Sequence, residues 1–459
     1  MELEGYPAPR APKVHEVRSV EDLMPYARFL VTAPEWRRNK VGFVGYGRTK
    51  PGDRVLLAAH TLYDPWVIEA TARALREVGA KVDTIIVDEG LDRELDYLDE
   101  IRVIMRRAPW TEAPRRYEGV PWVEELAAKN RYDLLIHGIG GPIPNTSYRY
   151  EGFPWTSRWT FATQATIFPP EVNDLINRKA WDLIYRRGRG GRVRVTDPEG
   201  TDFTFTLWDE YFDGRYGFSD IPLRGHVMGH PIPPFIDGTD AVGVVAGATS
   251  HFTRPFPHIK VSLNEGQATR VEGGGPYGDA WRDLLEESRG TTYPGFPRPG
   301  LFWLFELAIG TNPKVYRPRD VLRMSSGGAE YERYRSGVIH VGIGSLWGDP
   351  GEQWAAQNRK VYGHLHVHLL FPTYEITTKS GERMKVIEKG RLTALDDPEV
   401  RTVAAKYGNP DELLREDWIP GIPGINVTGN YWVDYAADPV PWIKKELGID
   451  SRVTAPKKS

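Results

Sequence analysis

Residues 53–89 constrain the fold more than any other stretch. DRVLLAAH (53–60) is a short apolar run, read as a buried strand. In TLYDPWVIEATARALREVGAKV (61–82), Val67, Ala70, Ala74, Leu75 and Val78 recur with helical period. Asp64 is a natural N-cap, Pro65 suits the first helical position, and Gly79 suits a left-handed C-cap. KVDTIIVDE (81–89) is a second apolar run. Strand, helix and strand with short joints specify a parallel βαβ unit. VPWVEELAAKN (120–130) and YDLLIHGIGG (132–141) predict another helix and strand. His60 and His137 fall at carboxyl ends of these strands, the edge where open α/β sheets present ligand groups. Taken alone, each reads more readily as a hydrogen-bonded structural histidine.

The texture changes near residue 190. GRVRVTDPEGTDFTFTLW (191–208) alternates and turns at Pro198–Gly200, predicting a β-hairpin. Strand-like runs follow at 242–248, 258–273, 336–345 and 363–371, with a helix over 279–290 and a further hairpin over 374–392. The expected architecture is an α/β fold: a parallel α/β domain followed by a mostly antiparallel β (α+β) metal-binding domain. The division is an arm over 1–17, the α/β domain over 18–185, the β-rich domain over 186–392, and a proline- and tryptophan-rich irregular extension over 393–459 that wraps the surface or a partner.

Composition narrows the function. A net charge of −3 gives no bulk electrostatic case for nucleic acid or an anionic membrane. The run RRGRGGRVR (186–194) reads as a solvated turn. With no cysteine there are no disulfides, thiolate ligands or cysteine nucleophile. No apolar run approaches the roughly 20 residues of a membrane span, and nothing resembles a signal peptide, so a cytoplasmic protein acting on a small molecule is expected.

The chain has 11 histidines, and His364, His366 and His368 occupy alternate positions of GHLHVHLL (363–370). A strand's period of two puts all three on one face, about 6.6–6.8 Å apart in sequence order. Two neighbouring imidazoles can converge on one metal through bonds of about 2.0–2.1 Å, but the outer pair is too far apart. A third ligand must come from elsewhere. His340 in GVIHVGIG (337–344) is the candidate, because small residues follow it and an unpartnered buried histidine is costly. His226 and His230 in RGHVMGHP (224–231), and Glu306 in FWLFELAIGTNP (302–313), are acid–base candidates. A metal site and a set of satisfied structural histidines both remain open on these residues alone.

HTLYDPWVIEATARALREVGAKV (60–82), VTDPEGTDFTF (195–205), FELAIGTNP (305–313), GVIHVGIG (337–344) and HVHLLFPTYEI (366–376) resemble, in order, motifs of the aminopeptidase T family of metallopeptidases and its relatives, the 2,5-dihydroxypyridine dioxygenases. The resemblance spans roughly residues 53–392 in short segments. It implies that Glu306 matches an acidic ligand, His340 a histidine ligand, and His366 the histidine of an H-x-D pair. The departures are His368 at that aspartate, Trp347 at the peptidases' tyrosine, and a position near His230 at their first acidic ligand. Losing carboxylates argues against two bridged cations, and HVGIGSLWGDPGEQW (340–354) looks more like the dioxygenase version. The reading is one divalent metal held by His340, His366 and His368, with Fe(II) favoured and Zn(II) or Mn(II) as alternatives. The function expected is a ring-opening dioxygenase acting on a hydroxylated aromatic or N-heteroaromatic compound, the alternative a metal-dependent hydrolase. The family also implies a homodimer.

Overall fold

The repeat at 53–89 folds as it reads. In the computed structural model, which describes residues 5–32, 46–47, 49–60, 63–87, 101, 105, 121–137, 148–153, 157–209, 226–228, 239–251, 253–318, 330–345 and 350–448, strand β1 (Arg54–His60) lies parallel to β2 (Lys81–Val87). The helix Pro65–Glu77 joins them, with the Asp64 side chain accepting from the Trp66 amide and Pro65 opening the first turn. Gly79 follows at φ +91°, a left-handed conformation that only glycine adopts cheaply. β3 (Leu134–His137) and β4 (Arg149–Glu151) complete a parallel sheet of order β2-β1-β3-β4. Both faces are covered, as a parallel sheet requires. Leu56, Ala58 and Leu135 pack with Val123 and Ala127, while Val55, Leu57, Leu134 and Ile136 pack with the helices Met24–Thr32 and Pro65–Glu77. β1 and β3 end at His60 and His137, and His137 Nδ1 lies 3.1 Å from the Ala58 carbonyl, so this histidine is tied to the sheet.

From residue 192 the chain is antiparallel. The strands are β5 (Arg192–Asp197), β6 (Thr201–Thr206), β7 (His226–Met228), β8 (Val242–Thr249), β9 (Pro255–Asn264), β10 (Gln267–Gly273), β11 (Trp303–Gly310), β12 (Ile339–Gly344), β13 (His364–Leu369), β14 (Thr373–Thr377), β15 (Arg383–Glu388) and β16 (Arg391–Leu392). Among the described residues they pair in the order β13-β12-β11-β10-β9-β8-β6-β5-β14-β15-β16, with β7 on β11. β13 and β14 are far apart along this path, yet the link from Leu369 to Thr373 reaches at most about 14 Å. The sheet therefore coils back on itself. β8 lies against β13 so closely that a Cβ on Gly247 would sit 2.7 Å from Val367 Cγ1. The helix Gly275–Ser288 buries Tyr277, Trp281 and Leu284 in the core of this sheet.

The extension is less irregular than its prolines suggest. Asp397 caps the helix Pro398–Ala404, Asn409 caps Pro410–Leu413, and Asn430 caps Tyr431–Asp434. Pro398 and Pro410, which read as breaks, sit at first helical positions, where a missing N–H is harmless. The amino-terminal arm lies on this segment. Arg10 and Ile419 exchange two backbone hydrogen bonds, and Asn426 donates to the Pro7 carbonyl. Among the described residues no helix is long and apolar enough to cross a membrane.

Candidate metal centre

Register decides which side chains meet. On β11, β12 and β13, Glu306, Gly342 and His366 form one rung, and Ala308, His340 and His368 the next. Gly342 is the enabling residue. A Cβ there would stand 2.7 Å from His366 Nε2, 2.8 Å from Phe305 Cζ and 2.9 Å from Glu306 Cβ. The missing side chain lets Glu306 and His366 reach across β12 from either side, with Oε2 and Nε2 3.1 Å apart. One step along the strand, His340 Nε2 lies 3.8 Å from the same carboxylate oxygen. The rings of His340 and His366 stack at 3.9 Å between centroids.

Hydrogen-bond chemistry fixes the tautomers of this cluster. The Arg333 guanidinium donates to His340 Nε2 over 3.2 Å, and a guanidinium can only donate. His340 therefore carries its hydrogen on Nδ1 and donates to His368 Nε2 at 2.6 Å. That leaves the hydrogen of His368 on Nδ1, a buried atom with no hydrogen-bond partner among the described residues. His366 Nδ1 is buried in the same way. His340, His366 and His368 are wholly inaccessible to solvent. Burial, reinforced by the neighbouring imidazoles and Arg333, holds all three well below the ordinary histidine range. They are neutral lone-pair donors at physiological pH.

The coiling of the sheet adds a fifth histidine. His251 follows β8 and lies 4.2 Å from His366, 5.0 Å from His340 and 5.6 Å from His364, ring centre to ring centre. His364 Nδ1 lies 3.3 Å from the Ser345 carbonyl, an acceptor that places this ring's hydrogen on Nδ1 and its lone pair on Nε2.

Two groups of donor atoms result: Glu306, His340 and His366, and His251, His364 and His366, each with its atoms within 4.8 Å of one another. His366 belongs to both. The first group fits a divalent cation. Two bonds of about 2.1 Å span up to about 4.2 Å, and the separations of Glu306 Oε2 from His366 and His340 both fall inside that limit. The contact between Glu306 and His366 needs a hydrogen on His366 Nε2, and the His340 Nε2 lone pair accepts from Arg333, so a cation in this group would take the place of both hydrogens.

The structure thus brings together three residues singled out in the sequence, Glu306, His340 and His366, and sets His368 against His340 through a hydrogen bond. His364 faces His251 and His366. His226 contributes its backbone to β7, paired with Gly310, and its side chain lies outside the described residues, as do His230 and Trp347. His251 has no periodic signature. Its one local signal is its place after VGVVAGATS (242–250), a strand of small apolar residues that lets another strand approach.

No family model matches the chain, and no curated protein matches it. Among solved structures, 2,5-dihydroxypyridine dioxygenase from Pseudomonas putida KT2440 is similar at 14% identity over 82% of this chain and 98% of that one, with a TM-score of 0.46. The wild-type AmpT of Thermus thermophilus is similar at 14% identity over 81% of this chain and 99% of that one, with a TM-score of 0.45.

Proposed function

We propose that this chain is a mononuclear metal-dependent enzyme, a non-haem Fe(II) dioxygenase that opens the ring of a hydroxylated aromatic or N-heteroaromatic compound. The observation that carries the reading is the meeting of Glu306, His340 and His366 on one sheet face. Two histidines and one carboxylate are the donor set of mononuclear Fe(II) oxygenases, which leaves positions open on one side. The carboxylate expected of such a site comes from β11, and His368 takes the place of a positioning partner. Its hydrogen bond to His340 Nδ1 fixes that ring's tautomer and orientation.

Bound in this group, Fe(II) would supply the one-electron chemistry that lets O2 react with a closed-shell ring. The chain's own residues do the rest. Burial of the cluster excludes water and strengthens each electrostatic contact. Arg333 places a fixed positive charge beside His340, which favours the ionised form of a substrate hydroxyl. His226 and His230 are the proposed acid–base groups, and the substrate class rests on the motif resemblance. Both oxygen atoms end in the ring-opened product, so no external reductant is needed.

A second reading has its own support. His251, His364 and His366 offer three imidazoles, a donor set of hydrolytic Zn(II) sites, leaving Glu306 to act as the base toward water. Glu306→Gln separates the two. Protein purified without added metal is assayed for metal content, reconstituted anaerobically with Fe(II) or Zn(II), and tested for O2 uptake with dihydroxybenzenes and hydroxypyridines. The dioxygenase reading expects the variant to lose metal and the wild type to consume O2 only with Fe(II). Metal retained in Glu306→Gln, with O2-independent turnover supported by Zn(II), would establish the hydrolase instead.

A further inference from the structure

A second buried polar cluster lies beyond the end of β13. The turn between β5 and β6 carries Asp197 and Glu199, which are 6% and 2% exposed. Asp197 Oδ2 accepts from the Phe371 amide at 3.0 Å, and its Oδ1 accepts from the Glu199 amide at 2.9 Å. Glu199 Oε1 accepts from the Tyr431 hydroxyl of the carboxyl-terminal segment at 2.6 Å. Its Oε2 is buried with no hydrogen-bond partner. Among the described residues neither carboxylate makes an ion pair. Tyr431 and Tyr435 face the pair from the terminal segment, Tyr6 from the amino-terminal arm, and His258 and Lys260 from β9. The charges of Arg317 and Glu332 act on it from farther away.

Two desolvated carboxylates joined through one turn ionise together only at a high cost unless a cation lies between them. The connections of the pair run between distant parts of the chain. One end holds Phe371, three residues after His368, and the other holds Tyr431. A second tie runs alongside. Arg335 donates to the Leu370 carbonyl at 2.6 Å and stacks on Trp418 of the terminal segment, with Arg317 on the same indole.

We propose that burial keeps one carboxyl of the Asp197–Glu199 pair protonated, and that the pair in this singly charged state latches the terminal segment around Tyr431 onto the exit of the histidine strand, releasing it as pH rises. Burial first, and for Glu199 the adjacent Asp197, push Asp197 up to about 6 and Glu199 up to about 8. Both values are raised, so the latch is complete in acid and is lost as pH climbs through those values, Glu199 ionising last. His258 titrates in the wrong sense to explain such a release, because burial lowers its pKa. Release would free the point at which β13 leaves the sheet, and with it the placement of His366 and His368. The proposal does not depend on what the histidines bind.

Amide hydrogen exchange of the full chain tests this at about pH 6 and about pH 9, corrected for intrinsic rates. Peptides covering 369–373 and 425–436 should lose protection by about tenfold or more at the higher pH, while β9 and β10 stay protected. Glu199→Gln and Asp197→Asn each leave at most one charge in the pair and should abolish the step. Tyr431→Phe should expose the terminal peptides at both pH values. Equal protection of the wild type at the two pH values, or a step retained in both amide variants, would overturn the proposal. If one amide variant fails to fold, the other and the wild-type comparison still decide it.

Discussion

The two ends of β13 carry buried polar clusters that answer desolvation in opposite ways. At one, His340, His366 and His368 lose their protons on burial and present lone pairs. At the other, Asp197 and Glu199 gain affinity for a proton and become partly neutral. The same physical term, the cost of a charge in a low-dielectric interior, makes imidazoles ready for a cation and makes carboxyls ready for a hydrogen bond. Glu306 is the exception that joins the two behaviours, a carboxylate set among the histidines with its Oε2 toward two of them.

The sharpest way to break this comparison is His366→Ala. His366 belongs to both donor groups, so metal content should fall from about one per chain to none by elemental analysis, whichever group holds the ion. Full retention would leave the cluster a set of structural histidines. Glu332→Ala tests the contrast from the charged side. Arg317 and Glu332 are 1% and 0% exposed and paired at 2.5 Å, so removing one partner leaves a buried charge uncompensated. Urea unfolding should show a loss of about 3–5 kcal/mol, whereas the neutral variants of the Asp197–Glu199 pair should cost far less.

Smaller effects refine the assignment within the histidines. His368→Ala should weaken metal affinity by about 10–100-fold without abolishing it, as loss of an orienting partner does. A complete loss would make His368 a direct ligand. Gly342→Ala forces a methyl against His366 and Glu306, an overpacking cost of about 1–3 kcal/mol. It should lower metal affinity by about tenfold with the fold retained by circular dichroism. His364→Ala should have the least effect, keeping metal within a few-fold of wild type. A loss equal to that of His366→Ala would move the ion to the group containing His251.

Much of the fold is legible because it is written in neighbouring residues. The 3.6-residue repeat over 65–77 and the apolar runs flanking it specify strand, helix and strand, and Asp64, Pro65 and Gly79 mark the boundaries. Alternation after residue 190 specifies antiparallel strands. The extension over 393–448 was harder to read, since its prolines look like interruptions until the Asp397 and Asn409 side chains are seen capping the helices that those prolines begin.

The sequence by itself determined that His364, His366 and His368 share a face, because a strand's period is two wherever it lies. It also marked His340 and Glu306 as polar residues in apolar strands that needed partners. Only the tertiary structure decided which of these meet. The rung of Glu306, Gly342 and His366 depends on register among three strands, and one residue of slip would turn every side chain to the other face. His251 joins the cluster because the sheet coils until β8 lies on β13, and Tyr431 reaches Glu199 across 232 positions of sequence. Contacts of that separation follow from how sheets twist and close, and no local period records them.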